Sequence, residues 1–179
     1  MPNYCTFETK IYGAAEKLQS LKERLGESGI LGVEDYDGLF DEPARKYFDW
    51  GSKWMQFYVE YSEGEESMYI SGETAWSPIS GLWHKISEKY DVSVSTSYAE
   101  PIAGFAGRDE WKSGEKTLCE EMTYIEHLYH NDYEYFWKNL AKRCAGIDLG
   151  KAISDLGVIY EKMSDGERQR VADIHEAEN

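Results

Sequence analysis

The stretch from Met68 to Tyr90 constrains this chain more than any other, because one backbone period replaces another within a few residues. Met68, Ile70, Gly72 and Thr74 fall on one side of a two-residue repeat, with Tyr69, Ser71, Glu73 and Ala75 on the other, as in a half-buried strand. Ile79, Leu82, Trp83, Ile86 and Tyr90 then recur at helical spacing. Between the two, Ser77 offers a hydroxyl to the unpaired amides of a first helical turn, and Pro78 has no amide to leave unpaired. Trp76 stands one residue before that cap, where a large ring is expected to fix the helix on the sheet.

The flanking segments repeat these periods. Cys5, Phe7, Thr9 and Ile11 alternate with Thr6, Glu8 and Lys10, after which Gly13 ends the strand. Ala14, Leu18, Leu21 and Leu25 form a helical face with Gly26 or Gly29 as its stop. Met55, Phe57, Val59 and Tyr61 oppose Trp54, Gln56, Tyr58 and Glu60, and a turn over Ser62 to Glu66 leads into the strand at Met68. Val92, Val94, Thr96 and Tyr98 alternate with Ser93, Ser95 and Ser97. This succession of strand, helix, strand, strand, helix, strand predicts an α+β fold, the ferredoxin-like βαββαβ arrangement: an antiparallel sheet with two helices on one face. A hairpin from Ala103 to Trp111 and Glu115 to Thr123 extends it, giving a domain over residues 1–124. Residues 30–50 mix Asp and Glu with Tyr and Phe and read as an acidic insertion, a short helix over Ala44 to Phe48 being the alternative.

From Ile125 the character is helical. Tyr133, Phe136, Trp137, Leu140, Ala141 and Cys144 hold one face, and Leu149, Ala152, Ile153, Leu156, Tyr160 and Met163 another. Ser164 and Glu167 have the spacing of a capping box for a last short helix. Residues 125–179 are therefore read as a C-terminal helical extension packed on or beside the domain.

Charge and motifs exclude several function classes. With 34 acidic against 19 basic residues, a net charge of −15 repels a phosphate backbone, so no direct nucleic-acid binding is expected. A protein partner with a basic surface fits better, although the same acidity serves solubility. No apolar run approaches the ~20 residues that span a bilayer, and the N-terminus has no leader pattern, so a cytoplasmic, non-membrane protein is expected. Cys5, Cys119 and Cys144 show no metal or redox spacing and read as reduced core residues. Glu120 and Glu121 beside Cys119 argue against an activated thiolate there. The chain carries no dinucleotide fingerprint, phosphate loop or nucleophile elbow, so no cofactor is expected and no catalytic residue is assigned. His127 and His130 could share a helical face toward a metal, but further ligands are not identifiable and the expectation is no metal.

Four strings in order, Met1-Pro2-Asn3-Tyr4-Cys5, Trp50-Gly51-Ser52-Lys53-Trp54, Thr74-Ala75-Trp76-Ser77-Pro78, and Tyr98-Ala99-Glu100-Pro101 with Gly104-Phe105-Ala106-Gly107, resemble the YubB-type ferredoxin-like family. That family comprises small proteins of bacterial plasmids, phages and other mobile elements. The resemblance covers residues 1 to about 115 and implies a fold without implying an activity.

Two candidate sites follow. Trp50, Lys53, Trp54, Glu73, Trp76, Glu100 and Phe105 could line a groove for a peptide or small ligand, or else pack helix against sheet. Asp35, Asp37, Asp41 and Glu42 in the insertion, with Glu63, Glu65 and Glu66 in the hairpin turn, could form a field that steers a basic partner. The expected function is a non-enzymatic interaction protein of a mobile element that binds a host or element-encoded protein. The alternatives are an acidic mimic of nucleic acid that inhibits a DNA- or RNA-binding defence enzyme, and a ligand binder or enzyme using the tryptophan groove.

Overall fold

The strand Tyr4–Tyr12 (β1) alternates strictly, burying Cys5, Phe7, Thr9 and Ile11, and this one-sided face lies at the centre of the sheet. A computed structural model describes residues 3–32, 39–40 and 50–179, which fall into two compact units, Met1–Met122 and Thr123–Asn179. In the first unit β1 is followed by the helix Ala15–Leu25 (α1), then by strands Ser28–Gly32 (β2), Trp54–Glu60 (β3) and Ser67–Ala75 (β4). The helix Ser80–Tyr90 (α2) and strands Ser93–Glu100 (β5), Phe105–Lys112 (β6) and Glu115–Thr123 (β7) complete it. The sheet order is β2-β3-β4-β1-β5-β6-β7. Its inner four strands, β3-β4-β1-β5, are the ferredoxin-like sheet, with β1 antiparallel to β4 and β5.

Both helices bury their apolar stripes in one core with the inward strand residues. Leu18, Leu21 and Leu25 come from α1, and Leu82, Trp83, Ile86 and Tyr90 from α2. Trp83 meets Phe7 edge-on at 5.6 Å between ring centres. The buried hydroxyls of Thr9 and Thr96 bond each other at 2.7 Å, so neither is left unsatisfied. Gly72 is required by close approach: a Cβ there would stand 2.0 Å from the carbonyl oxygen of Gln56 on β3.

Three local expectations are corrected. The chain does not pass from α1 into an insertion at residue 30: Gly26 closes the helix through its amide to Lys22 O, and β2 pairs with β3. The glycines at 29 and 32 leave only Ile30 and Leu31 to show a period, too few to register as a strand. The insertion is also not purely a surface feature, since Leu39, Phe40 and Trp50 belong to the core; Ala44 to Phe48 lie outside the described residues. Finally, α2 begins later than its sequence signal. Its N-cap is Ile79, without a side-chain bond, while the Ser77 hydroxyl donates to Gly51 O and Thr74 Oγ1 donates to Ser77 O at 2.7 Å. These extra residues of turn hold Trp76 at φ +64° with half its surface exposed, so Trp83 and Trp50 fill the core instead.

The second unit contains helices Tyr124–Asn131 (α3), Tyr133–Cys144 (α4), Leu149–Leu156 (α5), Val158–Lys162 (α6) and Asp165–Glu178 (α7). Its own core gathers Ile125, Leu128, Phe136, Trp137, Leu140, Cys144, Leu156 and Val171. The Ser164/Glu167 capping box forms as its spacing predicts.

Candidate functional site

Antiparallel pairing brings the starts of β1, β3 and β6 together with the ends of β4 and β5, as the partners Tyr4 and Ala75, Met55 and Thr74, and Glu100 and Phe105 show. The tryptophan-bearing strings therefore meet at one end of the sheet, although not as a common groove. Trp50 is 1% exposed and belongs to the core, so it is unavailable to a ligand. Glu100 is fully buried, and its carboxylate accepts from the amides of Ile102, at 3.2 Å, and Ala103, fastening the turn before β6. Both are corrections to the groove reading: a core ring and a turn carboxylate replace two supposed ligand contacts. Beside Glu100, burial and then that carboxylate push the Cys5 thiol up to about 12. Phe105 packs edge-on against Tyr98, and Trp54 against Tyr4 with centres 5.8 Å apart. Lys53, Glu73 and Trp76 stay exposed. What remains accessible is a rim of Tyr4, Trp54 and Trp76, with Lys53 and Glu73 nearby in sequence.

The opposite end is acidic. Glu63, Glu65 and Glu66 are exposed in the turn joining β3 to β4, roughly 25–30 Å from the aromatic rim along the length of β4. Next to that turn lies a depression of about 350 Å3 whose lining includes Lys10, Tyr12, Glu60, Tyr61, Glu65 and Tyr69. Tyr12 is half exposed, Tyr61 is fixed by donating its hydroxyl to Ala15 O at 3.2 Å, and the Tyr69 phenol is raised by burial and by neighbouring Glu8. Phenol rings beside carboxylates suit a cationic side chain. Asp35, Asp37, Asp41 and Glu42 lie outside the described residues.

His127 and His130 both lie on α3, occupied with aromatic neighbours. The His127 ring stacks on Tyr124 at 6.1 Å, and His130 meets Tyr129 edge-on at 5.3 Å. Among the described residues no three His, Cys, Asp or Glu side chains are grouped to hold a metal.

One polar cluster escaped the sequence reading. Gly107, Asp109 and Trp111 share the inner face of β6, so alternation carries a carboxylate into the core, where Asp109 is 2% exposed. Ser80 Oγ donates to its Oδ2 at 2.9 Å, and Lys116 Nζ reaches its Oδ1 at 2.8 Å. The alternation of β6 was the available signal; the partners come from α2 and β7.

Comparison with known proteins agrees with the topology. Residues 56–136 match the model of a family described as the ferredoxin-like domain in Api92-like protein. A crystal structure of protein api92 from Yersinia pseudotuberculosis is similar over 54% of this chain at 16% identity and a TM-score of 0.32. The chain spans only 31% of that protein, and the likeness is too slight to bear on function. No curated protein matches the chain. No helix among the described residues is long and apolar enough to cross a membrane.

Proposed function

We propose that this is a non-enzymatic interaction protein that engages a partner protein through the acidic end of the sheet. The observation that carries the proposal is the tyrosine-lined depression beside Glu60 and Glu65, adjoining the exposed turn of Glu63 and Glu66. A Lys or Arg side chain entering it finds ring faces and carboxylates together, and the net charge of −15 favours encounter with a basic surface. The charges beyond the depression act on association rate more than on affinity. The resemblance of four strings to YubB-type proteins supports placing this role in the service of a bacterial mobile element, and we place it in the cytoplasm. The experiment is an NMR titration of the full chain with a synthetic Lys- and Arg-rich peptide. Shifts concentrated at Tyr12, Glu60, Tyr61, Glu65 and Tyr69, and abolished by joint Glu60→Gln and Glu65→Gln replacement, are expected. Shifts spread evenly over the acidic surface would reduce the charge to a solubility device.

A further inference from the structure

The depression beside the β3–β4 turn is not lined by carboxylates alone, since Lys10 of β1 belongs to its wall. Strand pairing sets the spacing of its charges. Lys10 and Glu60 both stand opposite Tyr69 of β4, one on each side, so their Cα atoms are two strand spacings, roughly 10 Å, apart. Tyr69 thus separates a cation from an anion. Among the described residues no ion pair engages Lys10, Glu60 or Glu65, and all three are exposed. Burial and the neighbouring Glu8 keep the Tyr69 phenol neutral, so it offers a ring face and not a charge. Tyr12 and Glu65 also line a second depression, bounded by Gly13, Ala14 and Glu66, so the concave surface runs on past the first.

We infer that this depression receives the C-terminus of a partner protein ending in Arg or Lys, the terminal carboxylate meeting Lys10 and the basic side chain meeting Glu60 and Glu65. The inference rests on the acidic end being a partner site and adds which part of the partner enters it. Charge complementarity selects the occupant. A basic side chain in mid-chain answers Glu60 and Glu65 but brings only repulsion to Lys10, whereas a terminal basic residue carries both charges on one residue. A free amino acid would set a second ammonium beside Lys10 and leave the adjoining depression unused. In a polypeptide that nitrogen is an uncharged amide, and the residues before it extend past Tyr12 toward Gly13 and Ala14.

The test titrates the full chain, at low salt and followed by NMR, with acetyl-Gly-Ser-Gly-Ser-Arg as the free acid, with the same peptide as its C-terminal amide, and with arginine. The free acid is expected to bind about fivefold more tightly than the amide, the worth of one exposed ion pair, with shifts that include Lys10. Overall charge works the other way, because the amide carries one more positive charge toward an acidic protein, so this order requires a local cation. Lys10→Met, at an exposed position, should abolish or reverse the order without weakening the amide. An amide that binds as tightly as the acid, with shifts still at Glu60 and Glu65, would overturn this inference and leave the basic-partner reading standing. Arginine binding as tightly as the free-acid peptide would overturn it in favour of a free amino acid. Shifts at the depression with none of the three would remove both readings.

Discussion

The two units hold their helices by opposite means. In the first, α1 and α2 start at Ala14 and Ile79, neither of whose side chains accepts a hydrogen bond from the open amides. In the second, α3, α4, α5 and α7 start at Thr123, Asp132, Asp148 and Ser164, each accepting from a backbone amide, and Glu126 and Glu167 close two of these into reciprocal boxes. The contrast follows from burial. A helix laid on a seven-stranded sheet gains most of its stability from its apolar face, and unsatisfied ends can be left to water. Helices packed on one another without a sheet have less surface to bury, so each end contributes a larger share.

The largest test of that contrast is core truncation. Trp83→Ala should cost about 3–5 kcal/mol, because a ring 1% exposed is removed from between α2 and β1. Phe136→Ala, at a fully buried position of α4, should cost a similar amount by the same urea measurement. If Phe136→Ala costs no more than a lost cap, the second unit has no core in the sense that the first has. Next in size is Ser164→Ala, expected to cost about 1 kcal/mol since it removes the acceptor of the Glu167 amide. A loss within a few tenths of zero would mean that α7 is held by packing through Val171 and Ile174 and not by its cap.

This contrast also explains what was legible in the sequence. Long alternating strands and the Ser164 box depend on neighbours along the chain, and they appear where their spacing predicts. β2 was hidden because two of its five residues are glycine and its evidence is its pairing with β3, which no local pattern records. Ser77 and Pro78 have the local form of a helix start, but the bond from Ser77 to Gly51, distant in sequence, takes the hydroxyl elsewhere. The candidate site failed for the same reason. Trp50 and Glu100 have the residue types of a binding groove, and only the fold reveals that one is core and the other a turn fastener. Cys119 was read as a core residue by its type, whereas it lies exposed on β7, most of whose residues face solvent.

Trp76 gives a smaller effect that separates the rim from the core. A side chain half exposed at φ +64° leaves little burial to lose, so Trp76→Ala should cost less than about 1 kcal/mol in urea unfolding. Trp76→Gly should be more stable than Trp76→Ala by about 1 kcal/mol, because glycine adopts this left-handed conformation without its Cβ penalty. A cost of several kcal/mol for Trp76→Ala would return the ring to the core and remove the rim as an accessible surface.

The finest test is acidification, which should reach α7 before α1. Tyr133 donates to Glu167 Oε1 at 2.7 Å, and the Ser164 amide and hydroxyl donate to Oε2 at 2.9 Å each. These bonds, the Tyr133 hydroxyl first, hold the Glu167 carboxyl below its ordinary value of 4.5. A carboxylate depressed in the folded state stabilises it fully above 4.5, and that contribution disappears as pH falls through the lower folded value. Because Glu167 is only partly buried, the change is small and best read locally, as amide exchange corrected for its intrinsic pH dependence. Protection in the first turn of α7 should fall below pH 4.5, while α1, which has no side-chain cap to protonate, shows no matching step. Glu167→Gln cannot be protonated and should flatten the step in α7. A step of the same size in Glu167→Gln would place its origin in other carboxylates and leave the capping box without a part in the acid response of this unit.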